Sequence, residues 1–196
     1  IGYKGQPFGK PNVGAYFEAH IEQGPILEAE ERTIGVVTGA QGQRWYEITL
    51  TGMEAHAGPT PMARRRDALV GAADVVRAVN RIGFDFQPDA CATVGMMQVH
   101  PNSRNVIPGR VFLTIDFRHP DDERPPAMDA TLRTDAAEIS ERCKLDLELK
   151  QIPDFHATPF DAAFVPAVRT GPERSGYSPC DLPHDPGQHS IHTPKH

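Results

Sequence analysis

Little in this sequence can be stapled or anchored. Three cysteines, Cys91, Cys143 and Cys180, lie far apart in 196 residues. Their odd number and wide spacing fit neither a disulfide framework nor a thiolate metal site, so a reducing cytoplasm is the expected setting. No apolar run approaches the ~20 residues that span a bilayer, which excludes a membrane helix from the expectation. Basic blocks are equally scarce. The one run, Arg64-Arg65-Arg66, is short, and a net charge of −6 argues against a nucleic-acid surface. Ile1-Gly2-Tyr3-Lys4 is neither a start nor a leader, so the expectation is a piece of a longer protein. A hydrophobic content of 39% suffices for a core, and the length suits one domain, or one domain plus part of another.

What is present is strong alternation. After a Gly/Pro-rich loop over Ile1 to Asn12, Val13 to Ile21 reads as a strand ending near His20. Ile26 to Glu30 reads as one helical turn and Thr33 to Thr38 as a β-branched strand. Tyr46, Ile48 and Leu50 alternate with Glu47, Thr49 and Thr51, a half-buried strand. Gly52 to Met62 reads as loop. Arg65 to Ile82 predicts a helix with Leu69, Ala72, Val76 and Val79 on its apolar face. Cys91 to Val99 is a second strand, and Val111 to Arg118 a third beyond a turn-rich Pro101 to Gly109. Pro125-Pro126 opens a helix with a stripe of Met128, Leu132, Ile139 and Cys143. Leu145, Leu147 and Leu149 mark a fourth strand. The order βαββαβ from Arg44 to Gln151 predicts an α+β fold, a ferredoxin-like sandwich with two helices on one face of an antiparallel sheet. Thr158 to Arg174 reads as a helix interrupted at Pro166. From Ser178 the chain alternates proline with polar residues and reads as disordered.

The candidate chemistry lies in the punctuated stretches. Glu18-Ala19-His20-Ile21-Glu22-Gln23-Gly24-Pro25 puts an imidazole between carboxylates. That suits a metal ligand steadied by a carboxylate, and it is also met at ordinary histidines. Gly52, Gly58, Pro59 and Pro61 frame His56, which is either a turn histidine or a donor to a developing oxyanion. Asn105, in Asn-Val-Ile-Pro-Gly, is a turn former or a ligand-binding amide. Arg118 could grip a carboxylate through two parallel hydrogen bonds, or pair with Asp116 or Asp121.

These segments, with Gly39-Ala40-Gln41-Gly42-Gln43-Arg44 and Asp116-Phe117-Arg118-His119-Pro120, resemble in their order the M20-type amidohydrolases. The branch they resemble holds N-carbamoyl-L-amino-acid hydrolases, beta-ureidopropionases and allantoate amidohydrolases. The resemblance runs from about Ile1 to Tyr177, the middle of such an enzyme. It implies that residues 1–40 belong to a larger metal-binding domain, 41–153 form a small lid and dimerisation domain, and 154–177 return to the large one. Residues 178–196 fall outside the pattern and are expected to be disordered or aberrant, as a wrong reading frame would make them. The irregular spacing of His184, His189, His192 and His196 argues against a metal tract.

The resemblance further implies hydrolysis of linear amides, N-carbamoyl-L-amino acids or ureido acids. Water activated by two divalent metals (zinc, manganese, cobalt or nickel) attacks the carbamoyl carbonyl. His20 matches a metal ligand, with Glu22 as its possible supporting carboxylate. His56 matches a catalytic and substrate-binding histidine that reaches a partner's site in a homodimer. Asn105 and Arg118 match residues that hold the substrate carboxylate, and Gln43 a polar contact at the domain joint. Arg104 and His119 match no role. The His-x-Asp pair, the Glu-Glu pair and the later histidine of a complete site are not found, and Glu30-Glu31 does not match. One imidazole cannot hold a dinuclear centre, so this chain alone is expected not to hydrolyse its substrate. The alternatives are an M20-type aminoacylase or peptidase, and a dimerisation and substrate-binding module without catalysis.

Overall fold

The computed structural model describes residues 14–152 and 154–182. The loop expected over Ile1 to Asn12 and most of the expected disordered tail, 183–196, lie outside the described residues.

The centre is a four-stranded antiparallel sheet. Its strands are β3 (Gly42–Thr51), β5 (Cys91–His100), β7 (Arg110–His119) and β8 (Asp146–Gln151), in the spatial order β5-β7-β3-β8. Helices α2 (Ala68–Asp85) and α3 (Arg124–Cys143) cover one face, giving the βαββαβ sandwich that the alternation predicts. Tyr46, Ile48 and Leu50 of β3 and Val111, Leu113, Ile115 and Phe117 of β7 are all at most 1% exposed. They point towards the helices, because successive residues of a strand alternate between faces. Tyr46 meets Phe117 edge to face at 5.5 Å between ring centroids.

The helices differ from the reading in phase and limits. α2 starts at Ala68 because Asp67 caps it, its carboxylate accepting from the Leu69 and Val70 N–H groups at 3.0 and 3.3 Å. Its buried stripe is Ala68, Ala72, Val75, Val79 and Ile82. Leu69 stays 38% exposed and Val76 is half-buried. Small residues face the sheet because the helix lies close to it: a Cβ on Gly71 would overlap the Leu145 side chain. α3 buries Met128, Leu132, Ala136 and Ile139, with Pro125 in its first turn, and ends on left-handed Lys144.

Outside the sandwich are α1 (Ile26–Ala29), β1 (Gly35–Val37) and β2 (Gly39–Ala40) on the entering side, and β9 (Thr158–Pro159), α4 (Phe164–Arg174) and β10 (Cys180–Leu182) on the leaving side. Several expectations are corrected here. Gly14 to Ile21 forms no strand; it is irregular and exposed. Among the described residues no strand runs beside it to satisfy its backbone. Thr158–Pro159 is not helix but pairs antiparallel with Gly39–Ala40. Pro166 does not interrupt α4, because it falls in the first turn, where no intrahelical N–H is needed. The segment from Ser178 is ordered as far as Leu182: β10 runs parallel to β1, and Leu182 is 4% exposed. The Gly52 to Met62 stretch also holds a two-residue strand, β4 (Ala55–His56), paired antiparallel with β6 (Val106–Ile107).

The chain passes between the sandwich and its flanks at Gly39–Gly42 and again after β8. The two crossings are tied by paired backbone hydrogen bonds between Gln43 and Phe155, at 2.8 and 2.9 Å.

Candidate functional site

The residues singled out by sequence fall into two pairs, joined by strand register. Gln43 and Arg118 are direct neighbours across β3 and β7. Parity puts them on the sheet face turned away from the helices, with Trp45 opposite Asp116. Arg118 donates from Nε to both Asp116 carboxylate oxygens at 3.3 and 3.0 Å, and from Nη2 to Oδ2 at 2.9 Å. With its amide oxygen turned to the two nearby donors, Gln43 accepts from Trp45 Nε1 at 2.8 Å and from Arg118 Nη2 at 2.9 Å. Asp116 and Gln43 together fix the plane of the guanidinium. The ion pair with Asp116, one of the two roles open to Arg118, is therefore formed.

His56 and Asn105 form the second pair. β4 pairs with β6 as His56↔Val106, and the next amide, Ala57 N–H, donates to the Asn105 carbonyl at 2.8 Å. His56 Nδ1 accepts from the Gly58 N–H at 3.0 Å. Asn105 Oδ1 accepts from Ser103 Oγ at 2.9 Å. Both side chains are exposed.

The two pairs do not meet within one chain. The β4–β6 ladder prolongs the β3–β7 pair past Thr51↔Arg110, whereas Gln43↔Arg118 lies at the other end. About eight residue steps of strand, ~27 Å, separate the ends.

His20 stands apart from both pairs, exposed and without a strand to present it. Its Nδ1 lies 2.6 Å from the Ile21 carbonyl. A carbonyl only accepts, so Nδ1 carries the proton and Nε2 keeps a lone pair. That is the form in which imidazole binds a metal. Glu22 does not support it from a strand. Its carboxylate accepts from the Ile26 and Leu27 N–H groups at 2.8 and 3.0 Å and so holds the start of α1. Among the described residues no three His, Cys, Asp or Glu side chains gather to hold a metal, around His20 or elsewhere.

Three contributors escaped the sequence reading. Trp45 shares the polar parity of Glu47 and Thr49, and an aromatic ring at such a position was a usable signal. It is 39% exposed beside Gln43. Asp116 entered only as a competitor for Arg118. Arg65 sits in a basic run leading into a helix, yet its guanidinium bonds the loop that carries His56. A cleft of about 450 Å³ lies elsewhere, between α2 and α3. Four of its charged side chains are paired with one another, Arg81 with Asp135 and Arg142 with Asp74.

The fold and these motifs define a class. Residues 38–142 match the M20 peptidase dimerisation domain, and the chain belongs to that family. Members of this amidohydrolase family generally depend on a divalent metal. The chain is similar to the N-carbamoyl-L-amino-acid amidohydrolase of Rhizobium meliloti, 44% identical over 93% of this chain and 44% of the relative. It is also similar to the allantoate amidohydrolase of Escherichia coli, 40% identical over 57% of this chain and 27% of the relative. A solved hydantoinase/carbamoylase-family amidase from Burkholderia multivorans superposes with a TM-score of 0.83 at 64% identity, over 87% of this chain and 41% of that one. The chain thus spans less than half the length of these relatives. Among the described residues no helix is long and apolar enough to cross a membrane.

Proposed function

We propose that this chain is the dimerisation and substrate-recognition part of a hydrolase of linear amides, acting on N-carbamoyl-L-amino acids or ureido acids in a reducing cytoplasm. The observation that carries the reading is the Arg118 guanidinium, oriented by Asp116 and Gln43 on the open sheet face. A guanidinium held in one plane is suited to a planar carboxylate. Trp45 borders the same patch and supplies apolar surface next to the anion site. His56 donates a hydrogen bond to the carbonyl oxygen as charge develops on it, and Asn105 shares the substrate's polar end.

Because more than ~27 Å of strand separates the two pairs, the active assembly is a homodimer through the small domain. The Gln43–Arg118 end of one copy works with the His56–Asn105 end of the other. β5 lies at the sheet edge, where a second copy can pair. His20 contributes one ligand through Nε2 to a divalent metal (zinc, manganese, cobalt or nickel). When bound, the metal supplies Lewis-acid activation of the amide.

Trp45 is the only tryptophan, so its fluorescence reports the patch. An N-carbamoyl-L-amino acid should change that signal, whereas its carboxamide analogue, lacking the carboxylate, should not. Arg118→Ala should weaken binding at least ~10-fold, about 1.4 kcal/mol. Equal response to the two ligands would refute the anion-site reading. Metal-dependent ammonia release by this chain alone would refute the division of labour.

A further inference from the structure

The segment carrying His56 is built to hold the ring in one proton arrangement. Beyond the His56↔Val106 pair and the Ala57–Asn105 hydrogen bond, the backbone turns. The Gly58 N–H then comes back onto His56 Nδ1 at 3.0 Å. A backbone N–H can only donate, so Nδ1 accepts, and a neutral imidazole accepting at one nitrogen carries its proton on the other. The ring sits close over the glycine. A Cβ on Gly58 would lie 3.2 Å from His56 Cε1 and 3.3 Å from Nδ1.

The turn is braced from the side. Half-buried Arg65 donates from Nη2 to the Ala57 carbonyl at 2.9 Å and to the Thr60 carbonyl at 3.0 Å, and from Nε to Thr60 at 3.1 Å. Those two carbonyls bracket Gly58-Pro59, the piece of backbone that presents the N–H. The planar fork of a guanidinium ties both ends at once, which a single ammonium does less well.

We propose that Arg65 is a positioning residue: by bracing Ala57–Thr60 it aims the Gly58 N–H at His56 Nδ1 and fixes His56 as a neutral imidazole protonated on Nε2. The opposite tautomer would leave a lone pair on Nε2 where a developing oxyanion needs a donor. The catalytic meaning rests on the role proposed for His56 above; the geometry does not.

Nitrogen NMR of the full chain, labelled with ¹⁵N, tests this. His56 Nδ1 should resonate as an unprotonated nitrogen and Nε2 as a protonated one. A scalar coupling should be seen across the Gly58 N–H···Nδ1 bond. In Arg65→Met the coupling should vanish and the ring signals should move towards a tautomer average, with the amide pattern of β7 and α3 unchanged. A proton on Nδ1 in the parent chain, or an undiminished coupling in Arg65→Met, would overturn the proposal. If the variant fails to fold, the Arg65 Nε–H of the parent chain decides instead: slow exchange with water supports the brace, and exchange as fast as that of an exposed arginine removes it. His56→Ala without effect on turnover of the intact hydrolase would remove the oxyanion role alone, whereas the wrong tautomer would remove this inference whatever turnover shows.

Discussion

Replacing Tyr46 with phenylalanine deletes one oxygen atom from the middle of the sandwich. The side chain is fully buried; Asp129 and Arg44 lie near its hydroxyl, but among the described residues none makes a hydrogen bond of good geometry with it. A buried hydroxyl without a partner costs ~1–3 kcal/mol of desolvation. Its removal returns part of that, less the attraction of Arg44, so Tyr46→Phe should stabilise the fold by about 1 kcal/mol. In a chain of this size that is roughly 2–4 °C in Tm. Urea unfolding followed by Trp45 fluorescence should show a higher midpoint with an unchanged slope. Alkaline pH sharpens the test. Burial raises the phenol's pKa first, the Asp129 carboxylate adds to the rise, and Arg44 opposes it. The unfolded chain releases this proton near pH ~10, while the folded chain keeps it. The parent's stability from this group is therefore full below pH ~10. Above that it falls by up to about 1.4 kcal/mol per pH unit, a slope the variant lacks. The gap between Tyr46→Phe and the parent should therefore widen from pH 9 to pH 11. A variant less stable than its parent by 1 kcal/mol at pH 7, at unchanged slope, would show that the hydroxyl has a partner and refute the reasoning.

Two further substitutions address the frame around the His56 loop. Gly52→Ala should cost ~2 kcal/mol or more in thermal unfolding, because its Cβ would fall 1.9 Å from the Arg66 carbonyl oxygen, a backbone atom that cannot simply rotate away. Asp67→Ala should cost about 1 kcal/mol in urea unfolding by freeing the Leu69 and Val70 amides at the start of α2.

The sandwich was legible because β3 and β7 alternate without a break. Tyr46, Ile48, Leu50 and Val111 to Phe117 declare both the strand and its buried face. The phase of α2 was not, because bulky Leu69 and Val76 drew the apolar stripe towards themselves, whereas contact with the sheet is made by Ala68 and Ala72. Val13 to Ile21 has the composition of a strand, but a strand exists only where a neighbour takes up its hydrogen bonds, and composition does not carry that information. The identities of the candidate site residues came from motifs, their grouping from pairing. With β3 and β7 antiparallel in the register Thr51↔Arg110, Gln43 meets Arg118 and the His56 loop lies by Asn105. Gly58 and Arg65 act through backbone groups, to which side-chain patterns are blind.

The place of the joint has a mechanical consequence. Both crossings between the sandwich and its flanks lie at the Gly42 end of β3, beside Gln43 and Arg118. Were the sandwich to tilt as a body, that end would be the fulcrum and β3 with β7 the lever, its tip bearing His56 and Asn105. With an arm of ~27 Å, a tilt of about 5° hardly stirs the guanidinium yet sweeps the imidazole through roughly 2 Å, the difference between a hydrogen bond and none.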